Sequence, residues 1–134
     1  FGIDARYNRK GFEARGELIY TSIGNTAQYN TFTGSDLGST MFGYFAEIGY
    51  DLLAPTKVKK QKLVASVRYE KYDTQFKVDE TINMNNAYDR TDITIGLHYR
   101  PSLGVSFKAD YQFLDDASGA TRNDQMNFGV GVWF

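Results

Sequence analysis

Gln125-Met126-Asn127-Phe128-Gly129-Val130-Gly131-Val132-Trp133-Phe134, the last stretch of the chain, decides the fold. Met126, Phe128, Val130, Val132 and Phe134 are apolar, and Gln125, Asn127, Gly129 and Gly131 between them are polar or small. An alternation of period two puts all the apolar side chains on one face of a β-strand. The same pattern recurs upstream. Val105, Phe107, Ala109, Tyr111 and Phe113 oppose Ser106, Lys108, Asp110 and Gln112, while Thr91, Ile93, Ile95, Leu97 and Tyr99 oppose Arg90, Asp92, Thr94, Gly96, His98 and Arg100.

Further toward the start, Leu63, Ala65, Val67 and Tyr69 alternate with Val64, Ser66, Arg68 and Glu70. Phe42, Tyr44, Ala46, Ile48, Tyr50 and Leu52 alternate with Gly43, Phe45, Glu47, Gly49 and Asp51. Val64 and Phe45 break the rule. Phe12, Ala14, Gly16, Leu18 and Tyr20 alternate with Glu13, Arg15, Glu17 and Ile19, after a shorter run through Ile3, Ala5 and Tyr7. The count is about seven strands, each near the ~9–11 residues that a tilted membrane-spanning strand needs.

The connections alternate as well. Asn8–Gly11 and Pro101–Gly104 read as tight turns and Ala54–Lys62 as a modest basic one, whereas Ile23–Thr40 and Asp73–Asp89 read as long, polar and irregular. Asp115–Asp124 is intermediate and falls on the long-loop side. Short turns at one end and long loops at the other are the pattern of outer-membrane barrels. Pro55 and Pro101 both fall in turns, where a missing amide costs no ladder hydrogen bond.

Composition fits a barrel. A mean hydropathy of -0.45 is soluble-looking, and no run approaches the ~18 apolar residues of a spanning helix. In a barrel wall only every second residue meets lipid, so a polar average is compatible with spanning. A net charge of -1 gives no bias toward nucleic acid, and the absence of cysteine excludes disulfides and thiolate chemistry.

The polarity of the strands follows if the last one ends at the periplasm. Aromatics then gather at two levels of the apolar face: Tyr7, Phe12, Tyr50, Tyr99 and Phe134 at the periplasmic end, and Tyr20, Phe42, Tyr69 and Phe113 at the other. Two aromatic girdles mark the two membrane interfaces. Seven strands cannot close a bacterial barrel, and open edges in lipid would leave amides unsatisfied. Residues 1–134 therefore read as the C-terminal portion of a single antiparallel transmembrane β-barrel domain, of the 16-stranded porin size that leaves an aqueous channel. The start within an alternating segment, without initiator Met or secretory h-region, agrees with a fragment.

Several segments together resemble the C-terminal part of the phosphate-selective porin O and P family, particularly its Bacteroidota relatives. They are Gly11-Phe12-Glu13-Ala14-Arg15-Gly16-Glu17, Tyr44-Phe45-Ala46-Glu47-Ile48-Gly49-Tyr50, Leu63-Val64-Ala65-Ser66-Val67-Arg68-Tyr69, and Thr94-Ile95-Gly96-Leu97-His98-Tyr99 with its hairpin to Lys108-Ala109-Asp110-Tyr111. The resemblance implies a substrate-diffusion porin, often trimeric in that family, in the bacterial outer membrane. In that family selectivity rests on rows of basic residues, partly on strands that this chain does not contain.

The inward face is expected to line the lumen with Arg6, Glu13, Arg15, Glu17, Glu47, Arg68, Glu70, Arg90, Asp92, His98, Arg100, Lys108 and Asp110, together with Asp4 and Asp51. Both signs are interspersed, so cross-strand ion pairs compete with a selectivity field as their role. His98, the only histidine, is the sole candidate for a catalytic base, yet the residues around it offer no serine partner, and a structural lumen histidine is expected. Asp115, Asp116 and Asp124 supply hard oxygen donors but match no EF-hand spacing, so turn positions explain them better. The lysines Lys57, Lys59, Lys60 and Lys62 read as a solvated turn first and a lipid or partner contact second.

The function expected is passive diffusion of small hydrophilic solutes or ions, anions such as phosphate among them, by a protein that is not an enzyme and uses no cofactor or metal. The alternatives are a non-conducting barrel that scaffolds an envelope complex and a soluble lipocalin-like barrel, which would turn its apolar face inward. Expected partners are outer-membrane lipid, further copies in a homotrimer, and the barrel assembly machinery. The last would read the row Phe128, Val130, Val132 and Phe134 by strand addition.

Overall fold

The structure, a computed structural model, describes residues 1–56, 58 and 60–133. Seven strands form one sheet in strict sequence order: β1 (Gly2–Arg9), β2 (Phe12–Ser22), β3 (Thr40–Asp51), β4 (Lys62–Lys77), β5 (Asp89–Ser102), β6 (Val105–Asp116) and β7 (Gln125–Val132). Every neighbouring pair is antiparallel. The period-two segments thus become a continuous meander, and the side chains alternate between its faces as the sequence requires. The outer edges of β1 and β7 have no partner strand in this sheet.

The tight turns are tighter than the sequence suggests. β1 and β2 are joined by Lys10 and Gly11 alone, with φ of 51° and 85°. Positive φ at both central residues is what a type I′ hairpin requires, and that turn matches the twist of its strands. Glycine is needed twice over at Gly11, because a Cβ there would stand 2.5 Å from the Cβ of Ala54 in the next turn. Pro101 lies inside β5 rather than in a turn. The pairing of β5 with β6 slips between Tyr99 and Ser102, so the missing amide falls where the ladder is already interrupted.

The long connections are more ordered than expected. A helix, α1 (Thr26–Thr33), ending on Gly34 at φ 66°, occupies the first of them. β4 runs on to Lys77, and a short 3-10 turn (Asn86–Tyr88) leads into β5. The connections 23–39 and 78–88 are laced together through polar side chains. Gln75, 1% exposed, donates to the carbonyl of Asp36 and accepts from the amide of Asn85. The Asn30 amide donates to the Leu37 carbonyl and to Asp79 Oδ2, and its Oδ1 accepts the Leu37 amide.

Among the described residues no hydrophobic side chain is buried, and the buried side chains are all polar, namely Thr26, Asn30, Thr40, Asp51, Gln75 and Ser106. A water-soluble domain of this size would fold around an apolar core. This sheet has none of its own.

Candidate functional site

The two faces of the sheet differ in chemistry. One forms a trough lined by Arg6, Glu13, Arg15, Glu47, Arg68, Glu70, His98, Arg100, Lys108 and Asp110, with Ser66, Thr94 and Gln112 among them. Glu17, Asp92 and Arg90 belong to the same face: Glu17 pairs in register with Phe45, Phe45 with Glu70, and Glu70 with Asp92, and Arg90 lies two residues before Asp92. The pattern of the sequence and the register therefore bring the expected lining residues onto one wall.

Part of the charge is paired within that wall. Arg15 grips Glu47 with two hydrogen bonds of 2.9 Å from Nε and an Nη, across the β2–β3 pair. A fork of this kind fixes both side chains in geometry as well as in charge. Arg68 turns to Glu70 on its own strand, 2.9 Å away, rather than to its register partner Glu47. Arg122 reaches back from the last long connection to Asp92 at 3.2 Å. Arg6 and Asp4 approach only to 4.0 Å at the exposed edge. Ion pairing was expected across strands, and Arg15–Glu47 is the wall pair that follows that geometry.

Phe45, which breaks the alternation, has its reason here. The Arg68 guanidinium lies 3.9 Å from the centre of its ring and that of Arg15 5.9 Å. The ring is a cation-π platform that holds two arginines beside their carboxylates. The only sign of this in the sequence is an aromatic out of phase with its strand.

One other residue sits differently from expectation. Asp51 does not contribute a wall charge: it is 7% exposed and accepts the backbone amides of Leu53 and Leu63, closing the turn between β3 and β4. His98 faces Val64 and Lys108 in register and accepts a hydrogen bond from Arg100 Nε at 3.2 Å. In the acid-rich connection, Asp124 accepts from the Leu114 amide and the Tyr111 hydroxyl, and Asp116 from the Ser118 amide. These carboxylates hold turns, as their positions suggested.

The opposite face is apolar and open. Phe12, Leu18, Ile48, Val67, Ile95, Phe107 and Val130 are all exposed on it. Its apolar band crosses the sheet obliquely. From Tyr7 on β1, lateral pairing leads through Ala14, Ile48, Val67, Ile95 and Tyr111 to Met126 on β7. On β1 the band ends at Tyr7, for Arg9 follows, but on β7 it continues six residues past Met126 to Val132. The upper limit drifts in the same sense. The row Ile3, Leu18, Tyr44 is apolar on β1–β3, and continues as Lys71, Thr91 and Asp115 on β4–β6.

Six residues of drift over six strand-to-strand steps is about one residue per strand. At ~3.3 Å per residue and ~4.8 Å between strands, a band of constant level is crossed by strands tilted ~35°. Along β2 the band runs from Phe12 to Tyr20, which at that tilt is ~22 Å tall. Phe128, Val130 and Val132 lie on this face of the free-edged β7, and Phe134 lies outside the described residues.

No family model, curated protein or solved structure matches the chain.

Proposed function

We propose that the chain is part of the wall of an outer-membrane β-barrel porin, through which small hydrophilic solutes and ions diffuse passively. The observation that carries this reading is the oblique apolar band. A tilt of ~35° and a height of ~22 Å derived from pairing and side-chain type alone fall beside the ~35–45° strands and ~25 Å band of outer-membrane barrels. The lack of a buried apolar core agrees, since lipid would cover the exposed face. The trough behind it, lined by charged and polar groups, suits a water-filled lumen. The free edges of β1 and β7 call for further strands, because open edges in lipid are costly; analogy with porins whose barrels leave an aqueous channel gives 16 as the number, and the family resemblance implies the trimer and the phosphate-type anions.

Single-channel recording of the full-length parent in a planar bilayer tests the proposal. Ohmic conductance without strong sign preference is expected. Insertion without conductance would favour a barrel that scaffolds an envelope complex.

A further inference from the structure

The two ends of the wall carry opposite charge. The short connections, Lys10–Gly11, residues 52–61 and Leu103–Gly104, contain Lys10, Lys57, Lys59 and Lys60 and no acid. The long ones, 23–39, 78–88 and 117–124, contain Asp36, Asp79, Glu80 and Asp124 against the single Arg122. At the short-turn rim, Arg9, Lys10 and Lys60 are exposed, and none of them has a carboxylate within ion-pair distance among the described residues.

Arg9 is placed most tellingly. It continues the outward row Ile3, Ala5, Tyr7, so its charge stands at the lower limit of the apolar band, level in register with Phe12. The Tyr7 and Phe12 rings lie beside each other with centroids 6.2 Å apart. Along the same rim the Tyr99 hydroxyl donates to Gln61 Oε1 at 3.2 Å. Aromatic rings at a boundary, with cations just beyond, is the arrangement that meets the phosphates of a lipid leaflet.

We propose that this rim is a docking surface for anionic phospholipid headgroups of the leaflet on the short-turn side. The inference rests on the membrane reading above. It commits to lipid rather than to an acidic polypeptide because Arg9 projects from the lipid-facing row and not from the lumen. Each surface lysine or arginine adds a small electrostatic attraction to anionic headgroups, so the effect is collective and screened by salt.

The full-length parent is reconstituted in vesicles of equal phosphatidylglycerol and phosphatidylcholine and gently extracted, and the retained lipids are measured by mass spectrometry. The comparison is a triple variant, Arg9→Gln, Lys10→Gln and Lys60→Gln, with circular dichroism confirming its sheet content. Enrichment of phosphatidylglycerol about threefold or more over the bulk, falling toward unity in the variant, is the expected result. Equal retention of both lipids by the wild-type protein overturns the proposal and leaves the rim to an acidic polypeptide. Enrichment that survives in the variant overturns it too. A protein that never enters the vesicles overturns the membrane reading itself, a failure distinct from the other two.

Discussion

Tyr7 and Tyr111 lie in one lateral row of the sheet, five strands apart, yet Tyr7 is the last apolar residue before a tight turn and the Tyr111 hydroxyl reaches Asp124 of a long connection at 3.2 Å. A row perpendicular to the strands therefore climbs from one limit of the apolar band toward the other. That climb is the tilt of the strands expressed in residue types. Upright strands would have kept both tyrosines at one level.

Val67 and Met126 share this row, but Val67 sits near the middle of the band, between Leu63 and Tyr69 on β4, and Met126 is the uppermost apolar residue of β7. Arginine on the lipid face costs ~2–4 kcal/mol at the midplane and ~0–1 near an interface. Val67→Arg should therefore destabilise the refolded protein by ~2–4 kcal/mol and Met126→Arg by less than ~1. Denaturant titration in lipid vesicles measures both, and equal costs would contradict the tilt.

Arg15 and Glu47 are 49% and 22% exposed, so water screens their fork and its worth is modest. Glu47→Gln should lower stability by no more than about 1 kcal/mol. Its larger effect is electrical, since it leaves Arg15 uncompensated in the trough. Reversal potentials in a salt gradient should move toward anions and return in the Arg15→Gln, Glu47→Gln double variant. A shift in the single variant that the double variant does not reverse would place the effect outside this pair.

Asp79 holds the connection 78–88 to the helix-bearing connection 23–39. Its carboxylate accepts from the Thr81 hydroxyl and amide and from Asn30. The Thr81 hydroxyl, first among these, holds the carboxyl below its ordinary value of 3.8. A depressed folded value means stability that is present above pH 3.8 and lost as pH falls through the lower folded value. Proteolysis within 23–39 should accelerate only below that pH, and Asp79→Asn should raise the rate at neutral pH and flatten the profile. A profile unchanged by Asp79→Asn would assign the anchoring to Gln75 alone.

The strands were legible because period two survives wherever one face must be apolar. Where that demand ends, legibility ends. β4 continues past Tyr69 through Lys71 and Asp73 to Lys77, beyond the band, where charges replace the apolar residues of the outward row and the stretch reads as loop. α1 carries Tyr29 and Phe32 exposed and buries Thr26 and Asn30, an inverted pattern without an amphipathic signal. The wall charges could be assigned to a face by counting, but not to partners. Arg68 choosing Glu70 over Glu47, and Asp51 turning into a backbone cap, depend on register and turn geometry that no residue pattern encodes.

The central claim is that the two faces of these strands meet lipid and water respectively, and cysteine accessibility along β3 tests it most directly. The chain has no cysteine of its own. Ala46→Cys, Glu47→Cys, Ile48→Cys and Gly49→Cys are made singly in the full-length parent, held in membranes, and treated with a charged, membrane-impermeant thiol reagent. The account predicts labelling of positions 47 and 49 and protection of 46 and 48. Labelling at 46 and 48 with protection at 47 and 49, or labelling at all four, would contradict it.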